Sequence, residues 1–302
     1  MTNRSGIIVT CQTVLFLIFL SGCAVSPTAK PFKKIDFSNL NKDALHQKID
    51  ATASAADTKE ELVTLIELYK LLLNNEIDQR KNLSAIADYY ILLGASYTTN
   101  RSEKKDLYMA AMAHAEKLMM LNDEFRIRSQ HGDAPWDAVD TLAANDADGM
   151  GRWSTAALFY FRECIPTYRR IFSMKWVKRS KKMMDRIEHT NPTWMNGANY
   201  FNMAIYYHAL PAIAGGSTSL SSHYLKEAEK IGGDRSLFSW GKAKYIYTEH
   251  GNKILFKESL NKILIKDLTS KQVSDDSIDP YAWRVYFYRD AKNLLSQINS
   301  IF

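Results

Sequence analysis

Cysteine is scarce in this chain: three in 302 residues, at positions 11, 23 and 164. Long hydrophobic runs are missing too. The apolar stretch from Val14 to Leu20 is far short of the ~20 residues a membrane-spanning helix needs. Strand signals are nearly absent, and there is no phosphate loop, dinucleotide fingerprint, paired-histidine metal motif or nucleophile elbow. The seven histidines (46, 114, 131, 189, 208, 223 and 250) form no pair at metal-ligand spacing beside a carboxylate or thiol. Gly215-Gly216-Ser217-Thr218-Ser219 has the look of a phosphate cradle, but no lysine follows it and no strand precedes it, so it reads as a turn between helices. These gaps exclude the common nucleotide, metal and hydrolase chemistries. The chain reads as non-enzymatic, with no cofactor and no metal.

What is present starts at the N-terminus. Arg4, the apolar Val14–Leu20 stretch and Leu20-Ser21-Gly22-Cys23 form a secretory signal of the lipoprotein kind. A lipid-modifying enzyme must meet a thiol just beyond the apolar segment, and the cleaving peptidase needs small residues at 21 and 22. Residues 1–22 are therefore expected to be removed and Cys23 to carry the lipid that ties the protein to a membrane. Cleavage takes Arg4 and no acid, lowering the formal charge from +6 to +5. It also takes Cys11, so Cys164 is the one remaining thiol and no intramolecular disulfide can form, although export would permit one. Export also argues against nucleic acid as a partner. Residues 23–40 contain Pro27 and Pro31 without helical period and read as a tether with a reach of a few tens of ångström. Ala24, where an aspartate would favour inner-membrane retention, leans toward the outer membrane.

Residues 41–302 are long enough for a large core, and helical periodicity dominates them. Thr58-Lys59-Glu60-Glu61 has capping-box spacing, followed by Leu62, Leu65, Ile66, Tyr69, Leu72 and Leu73 on one helix face. Tyr224, Leu225, Ala228 and Ile231 mark a second helix closed by Gly232-Gly233. Ser236 is expected to cap a third, which ends near His250-Gly251, and Phe256, Leu260, Ile263 and Leu264 mark a fourth. Asp279-Pro280 starts a long terminal helix with proline at its favoured first position. Leu93-Gly94-Ala95-Ser96-Tyr97 matches the L-G-x-x-Y signature of a tetratricopeptide first helix, and Tyr108, Ala111, Ala115 and Leu118 suit a second. The expected fold is all-α, built of stacked helical hairpins in a tetratricopeptide-like α-solenoid.

Three segments carry functional interest. Cys164 reads as a buried, inert thiol. From Cys164 to Met184 there are seven basic residues and no acid, interleaved with Phe172, Met174 and Trp176. That pattern fits a helix with a solvated basic back, or a face for anionic lipid headgroups or an acidic partner. The stretch from Asn191 to Pro211 is apolar nearly all round but punctuated by Asn199, Asn202 and His208. It suits a central core helix or the wall of an apolar cavity with a few orienting polar groups.

Leu210-Pro211-Ala212-Ile213-Ala214-Gly215-Gly216, with Gly197 before it and His223-Tyr224 and Ala228 after it, resembles the most distinctive part of the T-component lipoproteins of TRAP transporter systems. The terminal Ala291-Lys292-Asn293-Leu294-Leu295-Ser296-Gln297-Ile298-Asn299-Ser300-Ile301-Phe302 is similar to that family's final helix. The chain departs from the pattern at Ser217, where an acid is usual, and near Asn199, where a histidine is usual. The resemblance implies a periplasmic helical-repeat protein without catalytic activity, able to form a homo-oligomeric ring. It would work beside the periplasmic solute-binding protein of a TRAP system and handle a hydrophobic or organic-acid ligand. On that reading Trp153, Tyr200, Tyr207 and His208 are the candidate ligand-binding residues. Helical hairpins behind a lipid anchor would also serve a general scaffold for envelope assembly.

Overall fold

Side-chain caps punctuate the chain and set its element order. In a computed structural model, residues 41–302 are described apart from 76, 267 and 269–278; the expected signal peptide, Cys23 and the expected tether lie outside the described residues. The described residues are all-α, with fourteen α-helices and no strand. The helices α1 (Lys42–Ala53), α2 (Lys59–Asn74), α3 (Gln79–Ser96) and α4 (Arg101–Met119) begin at Asn41, Thr58, Asp78 and Asn100. Each of those side chains accepts a backbone N–H that the first helical turn leaves unpaired. The Thr58/Glu61 capping box forms as its spacing predicts.

After α5 (Asp123–Gln130) come α6 (Ala147–Phe159), the short α7 (Thr167–Arg170), α8 (Lys175–Thr190) and α9 (Ala198–Ala209). Next are α10 (Thr218–Gly232), α11 (Ser236–Gly241), α12 (Lys253–Leu264), α13 (Tyr281–Ser296) and α14 (Ile298–Ile301). Ser217 caps α10, its Oγ accepting the Leu220 N–H at 3.2 Å, so a hydroxyl here fills the cap position without an acid. Ser236 is not a cap as expected. It is the first residue of α11, whose start has no side-chain cap. The Gly215-Gly216 pair does form a turn: Gly215 is left-handed at φ +95°, and a Cβ at Gly216 would strike the Leu210 carbonyl.

Neighbouring helices pack side by side, α2 on α3, α3 on α4, α4 on α6, α6 on α8 and α9 on α10. Helix α3 is the centre of this arrangement. It is buried almost all round from Asn82 to Gly94, and each large apolar side chain so enclosed contributes about 1.5–3 kcal/mol. Gly94 lets α4 approach: a Cβ there would lie 2.5 Å from the Tyr108 ring, which is fully buried. The Tyr108 hydroxyl donates to Glu163 at 2.8 Å, so the ring has no freedom to retreat.

The stack is not strictly linear. Helix α13 returns to the N-terminal half, where the Trp283 indole N–H donates to Asp88 Oδ2 on α3 at 2.8 Å. Arg289 donates to the Asp57 carbonyl at 3.1 Å and lies over the Tyr97 ring. In an open solenoid each repeat touches only its neighbours; here contacts nearly 200 residues apart close the body around its middle.

Candidate functional site

At that closure lies a half-open apolar cavity of about 140 Å³. A cavity of roughly this size holds a benzene-sized molecule when its walls are apolar. Helix α6 presents Arg152, Thr155, Leu158 and Phe159, which the 3.6-residue period places on one face. Helix α9 presents Ala198, Phe201, Asn202 and Ile205, at i, i+3, i+4 and i+7. Trp240 and Tyr245 close one side, and Trp283 and Phe287 of α13 close another.

Two of the walls are interrupted at the cavity. Residues 160–164, directly after α6, and residues 242–247, directly after α11, wind as π-helix rather than α-helix. Each π turn carries one extra residue and rotates the chain beyond it, a distortion that tends to occur at functional positions. Here the two turns face each other. Arg162 from the first places its guanidinium 3.8 Å from the ring centre of Tyr245 in the second, a cation–π contact. Burial pushes the Tyr245 hydroxyl above its ordinary pKa, so it stays neutral.

Three guanidinium groups reach this apolar space, and they differ. Arg152 pairs with Asp88 at 2.7 Å beneath the floor. Arg235 is almost fully buried and pairs with Asp279. It also donates to the carbonyls of Met195 and Asn196. Those two residues and Gly197 are all left-handed (φ +43°, +47° and +84°), so Arg235 holds together a strained turn leading into α9. Arg162 is exposed on its outer side and, among the described residues, forms no ion pair. Asn202 donates to Thr155 Oγ1 at 3.4 Å, tying the α6 and α9 walls. The site therefore offers aromatic and aliphatic walls, an amide, and one cation without a carboxylate partner.

Trp153, Tyr200, Tyr207 and His208 all lie outside the cavity lining. Trp153 is 1% exposed on the other side of α6, donating to Glu116 at 2.8 Å between the rings of Trp136 and Trp176. Tyr200 and Tyr207 are brought together on the far side of α9, both stacked on Tyr224. His208 Nε2 sits 2.9 Å from Glu249 and its ring meets His250 edge-on. Asn202, singled out by its polarity, is in the cavity; Asn199 is buried elsewhere, donating to the Met184 carbonyl at 3.0 Å. Arg152, Arg162, Arg235, Tyr245 and Trp283 escaped sequence reasoning, because nothing local marks them.

Cys164 is half-buried rather than fully buried. Burial, with the negative charge of Glu163, pushes its thiol up to about 12, so at neutral pH it is protonated and a poor nucleophile. Among the described residues no group of three or more His, Cys, Asp or Glu side chains is placed to hold a metal. Nor, among them, is any helix long and apolar enough to cross a membrane.

With this geometry in place, comparison with known proteins gives one family. The family model described as TRAP transporter T-component matches residues 66–302, which include every residue named above as lining the cavity. No curated protein matches the chain.

Proposed function

The chain belongs to the TRAP transporter T-component family, an accessory component of TRAP-type uptake systems, and on that premise we propose that it docks the periplasmic solute-binding protein of its system and holds a small ligand in the cavity between α6, α9 and α13. The protein does this without catalysis, tethered through a lipid on Cys23 to the periplasmic face of the outer membrane. The observation that carries the ligand reading is the cavity itself, an apolar space with Arg162 on its wall and no carboxylate paired to that residue. Such a site favours an organic acid with an apolar body, its walls taking the body and the guanidinium taking the charge.

Phenylacetate combines a benzene-sized ring with one carboxylate and is a suitable probe. A ligand that binds only the folded state raises its stability by mass action, so phenylacetate is expected to raise the melting temperature of the wild type. Leu158→Trp puts a large ring into the cavity space and is expected to abolish that increase, with the melting temperature of the free variant measured alongside. An equal increase in both proteins, or none in either, contradicts the cavity as the ligand site.

A further inference from the structure

The basic segment divides into two parts. Helix α8 behaves as an ordinary amphipathic helix, with Val177, Ser180, Met183, Met184 and Ile187 buried. The short piece before it does the opposite. Tyr168 is 72% exposed, Ile171 72% and Phe172 85%. Three large apolar side chains within five residues stand clear of the body, and nothing among the described residues covers them.

The charge around this tip is mainly positive, and the nearby acids Glu103 and Glu163 are taken by Lys59 and Lys104. Arg169, Lys175 and Lys178 are exposed, and Arg170 is half-buried, donating to the carbonyls of Arg162 and Ile165. The N-terminus of α4 adds Arg101 and Lys105, both exposed; their charges act on Cys164, and that of Arg101 on Arg170 as well. None of these six cations forms an ion pair among the described residues, whereas Lys104 beside them pairs with Glu163. From Cys164 to Met184 there is no acid to compensate them.

We propose that this tip is a membrane-docking element: Tyr168, Ile171 and Phe172 insert into the headgroup region of an anionic bilayer while Arg101, Lys105, Arg169, Arg170, Lys175 and Lys178 contact the lipid phosphates. Unpaired cations suit an anionic occupant, and the exposed aromatic and aliphatic side chains suit an apolar one. A bilayer surface rich in acidic lipid supplies both. A protein partner fits less well. Three exposed side chains bury far less than the ~1,200 Å² typical of a stable protein interface, and insertion into lipid needs no complementary shape. Arg162 belongs to both regions, its side chain on the cavity wall and its carbonyl held by Arg170, so a docked tip sets the cavity beside the membrane surface. The proposal is independent of the ligand reading and of Cys23.

The test uses the chain from Ala24 onward without an acyl group, since among the described residues the buried core residues lie between Leu45 and Ala291. Co-sedimentation is measured with vesicles of phosphatidylcholine containing phosphatidylglycerol and with vesicles of phosphatidylcholine alone. Binding to the anionic vesicles only, weakened by salt, is expected. Ile171→Ser with Phe172→Ser, and separately Arg169→Gln with Lys175→Gln, should each weaken it by about tenfold or more. The side chains are exposed, so melting curves should stay at wild-type values. Equal binding to both vesicle types, or anionic binding that survives the apolar replacements, overturns the proposal. No vesicle binding together with patch-dependent capture of the solute-binding protein also overturns it, in favour of an acidic protein partner.

Discussion

Replacing Asp88 with alanine is expected to cost about 3–5 kcal/mol of folding free energy, because it strands the Arg152 guanidinium inside the protein without a counter-charge. Asp88 is 5% exposed and joins three distant segments: its own α3, Arg152 on α6 at 2.7 Å, and Trp283 on α13 at 2.8 Å. Among the described residues Asp148 is no free substitute. Asp148, one turn before Arg152, already accepts from Trp194 at 2.8 Å and from Ser84 at 3.0 Å. Burial raises the pKa of Asp88 more than Arg152 and Trp283 lower it, so the carboxylate itself is held at some cost. Removing both charges should therefore be milder than removing one. Thermal denaturation is expected to place Asp88→Ala about 10 °C below wild type, and Asp88→Ala with Arg152→Met clearly above the single variant. A double variant no more stable than the single one would show that the pair acts by shape and not by charge. Arg152 and Trp283 both line the cavity, so the single variant should also lose the phenylacetate response.

The second large effect is a loss of stability in acid through His114. Its ring is half-buried between α3 and α4, 5.4 Å from the Tyr90 ring, with Nδ1 2.8 Å from the Ala110 carbonyl. Burial, helped by the charges of Lys117 and Lys70, lowers its pKa from 6.5 to about 4. Between those values the unfolded chain takes up a proton that the native state refuses. Stability then rises with pH across this window and falls as pH drops from 6.5 toward 4. The depressed pKa corresponds to roughly 3 kcal/mol, complete near pH 4. Glu116 two residues on has a pKa raised by burial, so its contribution has the opposite sign, fading as pH rises. The comparison with His114→Gln isolates the histidine. Urea denaturation at pH 6.5 and pH 4.5 is expected to show a much larger loss in wild type than in the variant, and parallel losses would show that His114 titrates normally.

The helices themselves were legible because their signals are local. The capping box at Thr58 and the Gly215-Gly216 turn each rest on neighbouring residues, and each appears where its residues place it. The cavity was legible only in part. The stretch around α9 stood out by composition, but a helix apolar on every side does not tell which face meets which neighbour. Tyr200 and Tyr207 lie on one face against Tyr224, and Phe201, Asn202 and Ile205 lie on the other against the cavity. The two π turns rotate Arg162 and Tyr245 into contact, and an extra residue within a helical turn leaves no mark in hydrophobic periodicity. Nothing local marks Arg152 and Arg235; their partners Asp88 and Asp279 are remote in sequence. The same limit explains the basic segment, where one composition covers a core-facing helix and a bare apolar tip.

Membership of a TRAP system means little unless the chain meets the protein that delivers its solute. Sedimentation velocity of the lipid-free chain mixed with the purified solute-binding protein of the same TRAP system tests this most directly. A faster boundary containing both proteins, absent from either alone and strengthened when solute is present, is the expected result. Independent sedimentation of the two, with and without solute, would contradict it.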